Sequence, residues 1–64
     1  MQEERENQKY KECGSFNVVL DYVSSEDGTC YWEVAIEWTD GTPCDTEKYD
    51  TYEKALKSFK RLCR

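Results

Sequence analysis

Between Phe16 and Thr39 the chain alternates twice, and the two alternating runs admit one pairing. In the first run Phe16, Val18, Leu20 and Tyr22 share a face, and Asn17, Val19, Asp21 and Val23 share the other. In the second, Cys30, Trp32, Val34, Ile36 and Trp38 oppose Tyr31, Glu33, Ala35, Glu37 and Thr39. A period of two over β-branched and aromatic residues marks half-buried strands. Glu26-Asp27-Gly28 between the runs is a turn signal, with Gly28 suited to a left-handed conformation. A three-residue turn sets Tyr22 against Trp32, Leu20 against Val34, Val18 against Ile36 and Phe16 against Trp38. A two-residue turn would set apolar residues against acids, so the longer turn is expected.

The flanking segments complete an α+β fold. Asp40-Gly41 signals a second hairpin, leading into a polar third strand over roughly 43–49. Pro43 cannot donate to a ladder, so that strand belongs on an edge. Asp50 is placed to cap a helix, with Glu53 at the capping-box position. Tyr52, Ala55, Leu56, Phe59, Leu62 and Cys63 then form a helical stripe, while Lys54, Lys57, Lys60, Arg61 and Arg64 face away. Residues 1–14 are polar, of mixed charge and without a stripe. They read as an N-terminal arm or short helix, docked through Tyr10 and ended by Gly14-Ser15. The expected architecture is a single domain over 15–64: a three-stranded antiparallel sheet in order 1-2-3, with the C-terminal helix across one face. Its expected core is Phe16, Val18, Leu20, Tyr22, Trp32, Val34, Ile36, Trp38, Tyr49, Ala55, Leu56, Phe59 and Leu62. A chain of 64 residues buries only about 60% of its unfolded surface, so nine aromatic residues matter to it.

Charge is segregated along this framework. Residues 16–50 hold nine acids and one base, Lys48; the last fourteen residues hold five bases and one acid, Glu53. An acidic sheet and a basic helix face follow. The whole chain carries −5.

Two hairpins followed by Tyr49, Asp50, Thr51, Glu53 and Ala55, with Leu56 and Phe59 beyond, resemble three-strand-plus-helix DNA-binding domains. These are the plant ethylene-response-factor domain and the amino-terminal arm-binding domain of tyrosine integrases. The resemblance spans about residues 16–63 and implies their fold. Those families read the major groove with bases on the outer sheet face. Here the matching positions of the first two expected strands hold Asp21, Glu33 and Glu37 and no base. Phosphate contacts need cations, so the resemblance carries the fold and not the DNA contacts.

Chemistry is sparse. The chain has no His, the commonest general base and metal ligand, and no Gly-rich phosphate loop. No catalysis, cofactor or metal is expected. The four cysteines lack the close C-x₂₋₄-C pairs of structural zinc sites. Cys30 opens the second strand at one end of the sheet, whereas Cys13 and Cys44 fall at the other. The helix runs back toward that end. A disulfide from Cys63 to Cys13 or to Cys44 is therefore the geometry to expect, with Cys30 alone. The chain begins Met-Gln-Glu-Glu without an export signal and has no apolar run of membrane length. Those features point to a cytoplasmic setting in a host cell. A secreted one is the alternative, if Met1 replaces a removed signal peptide.

The outer face interleaves Val19, Val23, Tyr31 and Ala35 with Asp21, Glu33 and Glu37. Acids on a solvated face serve solubility; aromatic and apolar residues among them suit a contact surface. The expected partner-binding set is Asp21, Tyr31, Glu33 and Glu37, with Tyr31 as anchor. The expected partner is the basic surface of a host protein; direct contact with nucleic acid and with membrane is not expected. The N-terminal arm, or a second copy of the chain in a homodimer, is an alternative cover for this face. In size and charge the chain resembles the small inhibitor proteins of phages and mobile elements, anti-CRISPR proteins among them. The alternatives are DNA binding through the basic helix and a secreted, disulfide-stabilised effector.

Overall fold

The hairpin at Glu26-Asp27-Gly28 organises the sheet in the computed structural model, which describes residues 3–62. Strand β2 spans Phe16–Ser25 and β3 spans Cys30–Trp38, antiparallel. Tyr22 pairs with Trp32, Leu20 with Val34, Val18 with Ile36 and Phe16 with Trp38. The Ser25 amide donates to Thr29 at 2.8 Å and the Gly28 amide to Ser25 at 3.1 Å. Gly28 lies at φ +92°, a conformation in which a Cβ would be strained. This is the three-residue turn and register that the alternation predicts.

The sheet has four strands, not three. Residues Glu3–Glu12 form strand β1, antiparallel to β2, in place of the expected arm or short helix. All ten residues are exposed. A strand with no buried face shows no hydrophobic alternation, which is why the sequence hides it. What holds it is the other edge of β2, whose backbone donors and acceptors need partners. The link is tight: the Cys13 amide donates to the Phe16 carbonyl at 2.8 Å. The ladder is interrupted at Gln8, where Asn7 pairs with Asp21 and Lys9 with Leu20, leaving one extra residue as a bulge.

Strand β4 spans Asp45–Tyr49, shorter than the expected 43–49, with Pro43 and Cys44 in the preceding loop. The Asp40 carboxylate accepts the Thr42 amide at 2.9 Å and shapes that turn. The sheet order is β1-β2-β3-β4, so β1 and β4 are its edges.

Helix α1, Tyr52–Leu62, lies across β2, β3 and β4. Its cap is Thr51 rather than Asp50: the Thr51 hydroxyl accepts the Lys54 amide at 3.3 Å. Asp50 instead pairs with Lys54 at 3.2 Å. Val18, Leu20, Val34, Ala55 and Phe59 form the buried core, with Phe16, Trp32, Tyr49, Tyr52, Leu56 and Leu62 packed around it. Trp38 was expected in that core but is half-buried at the sheet's end, against Phe16 with ring centroids 5.2 Å apart. Tyr22 and Ile36 are also half-buried. Ser58, absent from the expected stripe, is buried and bonded to the Tyr49 hydroxyl at 2.9 Å. Cys63 and Arg64 lie outside the described residues.

Candidate functional site: the outer sheet face

Residues paired across an antiparallel sheet share a face, so the register lays out the surface opposite α1 row by row. One row is Arg5, Val23 and Tyr31. The next is Asn7, Asp21, Glu33 and Lys48. Then follow Tyr10, Val19, Ala35 and Thr46, and finally Glu12, Asn17 and Glu37. The two middle strands contribute no base to this face, but the edges contribute Arg5 and Lys48. These two cations are set against five carboxylates: Glu3, Glu12, Asp21, Glu33 and Glu37.

Both cations are engaged. The Arg5 guanidinium crosses β2 and hydrogen-bonds Glu33 through Nη1; the same nitrogen lies 3.8 Å from Asp21, and Nη2 lies 3.3 Å from Glu3. Glu33 retains only 7% of its exposure, and Val23 beneath this corner retains none. Hydrogen bonding to Glu33 holds the Arg5 guanidinium proton more tightly than usual. Lys48 sits 4.9 Å from the centroid of the Tyr31 ring, a cation–π contact. The Tyr31 hydroxyl donates to Glu3 at 3.3 Å, and burial and that carboxylate push its phenol above the ordinary range.

The four residues read from sequence as a partner surface therefore divide. Glu33 is buried in an ion pair. Tyr31 is half-buried beneath Lys48, and Asp21 is half-buried, accepting from Asn7 Nδ2 at 3.0 Å. Glu37 is exposed and, among the described residues, pairs with no cation.

A residue outside that set completes the surface. Tyr10 is 52% exposed, the large hydrophobic side chain most open to solvent among the described residues. With Val19 and Ala35 it makes an apolar strip, bordered by Glu12 and Glu37 on one side and Asp21 on the other. In the sequence Tyr10 stands in a polar segment without alternation, which reads as an arm or short helix. The signal that could have placed it is the pair Val19 and Val23, two β-branched residues on the outer face that call for a neighbouring strand.

The cysteines are spread out. Cys13 is disulfide-bonded, whereas Cys30 and Cys44 are free and exposed. Hydrogen bonds from Tyr22 and then Ser24 push the Cys30 thiol below its ordinary range. Among the described residues no three of His, Cys, Asp or Glu are grouped to hold a metal ion. No described helix is long and apolar enough to cross a membrane. On α1, Lys54, Lys57, Lys60 and Arg61 are exposed on the opposite side of the molecule from the outer sheet face. No family model, curated protein or solved structure matches the chain.

Proposed function

We propose that the chain is a non-catalytic protein-binding module whose outer sheet face docks on a basic surface of a host protein. The observation that carries this reading is the exposed Tyr10 at the end of the Tyr10–Val19–Ala35 strip, bordered by the carboxylates of Glu12 and Glu37, which pair with no cation among the described residues. Aromatic anchors carry interface energy when their pocket is desolvated. Surrounding carboxylates steer a basic partner and set the association rate. A face of this charge competes with nucleic acid for a basic groove, which is how a small phage or mobile-element inhibitor occludes a host protein in the cytoplasm. The absence of His and the net charge of −5 favour binding over catalysis and over direct contact with nucleic acid.

Quantitative affinity capture from host extract tests the reading, with the wild type and two variants as baits. Tyr10→Ala with Glu37→Lys is expected to lose a basic protein that Lys57→Glu with Arg61→Glu retains. The reverse pattern would sink the outer-face reading and make the basic helix the working surface.

One observation favours a second setting. Cys13 is disulfide-bonded, and disulfides persist in oxidising compartments. The same face would then act outside the cytoplasm, as part of a secreted effector. Thiol titration of denatured protein from its native source separates the two: four thiols for a reduced cytoplasmic chain, two for an oxidised one.

A further inference from the structure

We propose that the free edge of β1 is a dimerisation surface, on which a second copy of the chain adds antiparallel and joins two four-stranded sheets into one. β1 is an edge strand of ten residues, and among the described residues nothing pairs with its outer side. Helix α1 packs on the other three strands and leaves β1 open. An open edge of this length is a template for strand addition.

The order of charges decides which strand it accepts. Glu3, Glu4 and Glu6 occupy the first half of β1, and Lys9 and Lys11 the second. Laid antiparallel on itself about its centre, the strand sets Glu6 against Lys9 and Glu4 against Lys11 on the helix side. On the outer side it sets Arg5 against Tyr10. Two-fold symmetry makes each pair twice. The bulge makes this register permissible. Counting Asn7 and Gln8 as one ladder position, Arg5 and Tyr10 fall on one face and Glu4, Glu6, Lys9 and Lys11 on the other, so paired residues share a face and the axis passes through the bulge. The carbonyls that flank the bulge already have donors within the chain: Gln8 Nε2 donates to the Glu6 carbonyl at 3.2 Å and Asn7 Nδ2 to the Lys9 carbonyl at 3.1 Å.

Charges on an edge ordinarily repel strand addition. This edge repels strands of other patterns and complements its own, so specificity comes from the same residues that protect it. Among the described residues Glu4, Glu6, Lys9 and Lys11 make no ion pair within their own chain. The like-charged pair in this register, Glu3 with Glu12, falls at the ends, where Glu3 already has Arg5 at 3.3 Å.

The test is sedimentation velocity from about 10 μM to about 1 mM, the range in which a small interface associates weakly. The wild type is expected to shift from monomer to dimer, less so at high salt. Glu6→Lys places like charges together twice and is expected to weaken dimerisation about tenfold. Glu6→Lys with Lys9→Glu exchanges the partners and is expected to restore it to within about threefold of the wild type. A thermal melt of each variant confirms that β1 remains folded. A wild type that stays monomeric to about 1 mM, an unchanged Glu6→Lys, or a double variant without rescue would each overturn the proposal. Both substitutions lie on the helix side of the sheet, so failure here is separable from failure of the outer-face reading, which is read by capture of the basic protein.

Discussion

Arg5 on β1 reaches over β2 to hydrogen-bond Glu33 on β3, so that one side chain ties together three strands. The pair converts an excess of acid into a positional constraint: Arg5 supplies the cationic donor that the buried Glu33 carboxylate needs. Arg5→Ala leaves that carboxylate without its donor. It is expected to cost about 1–2 kcal/mol, the range for a charged hydrogen bond to a partner that is itself partly exposed. Urea denaturation of Arg5→Ala, Glu33→Ala and the double variant should give a coupling energy of the same order. Additive effects would show that the two residues act independently.

Removing residues 1–12 makes a stronger test of β1. Truncation exposes the edge of β2 and uncovers Val23, which is wholly buried in the intact fold. The truncated chain is expected to lose its cooperative melt, measured by circular dichroism. A melt within a few degrees of the parent would mean that β1 is an accessory to the fold.

The core carries unequal weights. Phe59 lies inside it, and Phe59→Ala is expected to cost about 3–5 kcal/mol. In a domain this small that unfolds most of the population. Trp38 is half-buried at the sheet's end, with an indole donating to Asp45 at 3.4 Å. Trp38→Ala is expected to cost about half as much, because less area is lost. Equal costs in denaturant titration would place Trp38 in the core after all.

These contrasts show what sequence could convey. The β2–β3 register was legible because both strands bury one face, and burial imposes alternation on the residues. Edge strand β1 was not, because both of its faces are solvated and its order comes from Arg5, from the backbone ladder and from the tight turn at Cys13. The candidate surface divides along the same line. Asp21, Tyr31, Glu33 and Glu37 were legible as one face. That Glu33 is spent on an ion pair and that Tyr10 adjoins the strip depend on β1. Thr51 displaced Asp50 as cap because the helix begins one residue later than the acid-first pattern implies.

Two turn aspartates set a pH dependence. The Thr29 amide bound to Asp27, and Thr42 bound to Asp40, hold both carboxylates below their ordinary value of 3.8. A carboxylate whose pKa is depressed by folding stabilises the fold above its unfolded pKa. That stability disappears as pH falls through the folded value. The melting temperature is expected to fall as pH drops from about 4 toward 2. Asp27→Asn with Asp40→Asn should flatten that decline, and an unflattened curve would assign the acid sensitivity to other carboxylates.

The free thiol at Cys30 offers a kinetic reading. Tyr22 and Ser24 stabilise its thiolate, so more of the reactive form is present at a given pH. Its rate with a disulfide reagent is expected to rise at lower pH in the folded protein than in the urea-unfolded chain. Tyr22→Phe with Ser24→Ala should move the folded profile upward. Coincident profiles would show that these hydroxyls do not reach the sulfur in solution.

The choice of anchor separates two versions of the binding surface. Tyr31 is occupied by Lys48 above its ring and by Glu3 at its hydroxyl, so it offers a partner little free surface. Tyr10 is more than half exposed and borders Val19. Tyr10→Ala is therefore expected to weaken binding to the captured basic protein by about 2 kcal/mol, roughly thirtyfold, mainly through faster dissociation. Glu37→Lys is expected to act on the association rate and to reduce its salt dependence, because the carboxylate is solvated and steers. Glu33→Lys is not a clean probe: it sets a second cation against Arg5 and destabilises the sheet before binding is measured. Surface plasmon resonance at two salt concentrations resolves these effects. If Tyr31→Ala lowers affinity more than Tyr10→Ala while both variants melt like the parent, the anchor is Tyr31, and Lys48 must move aside when the partner binds.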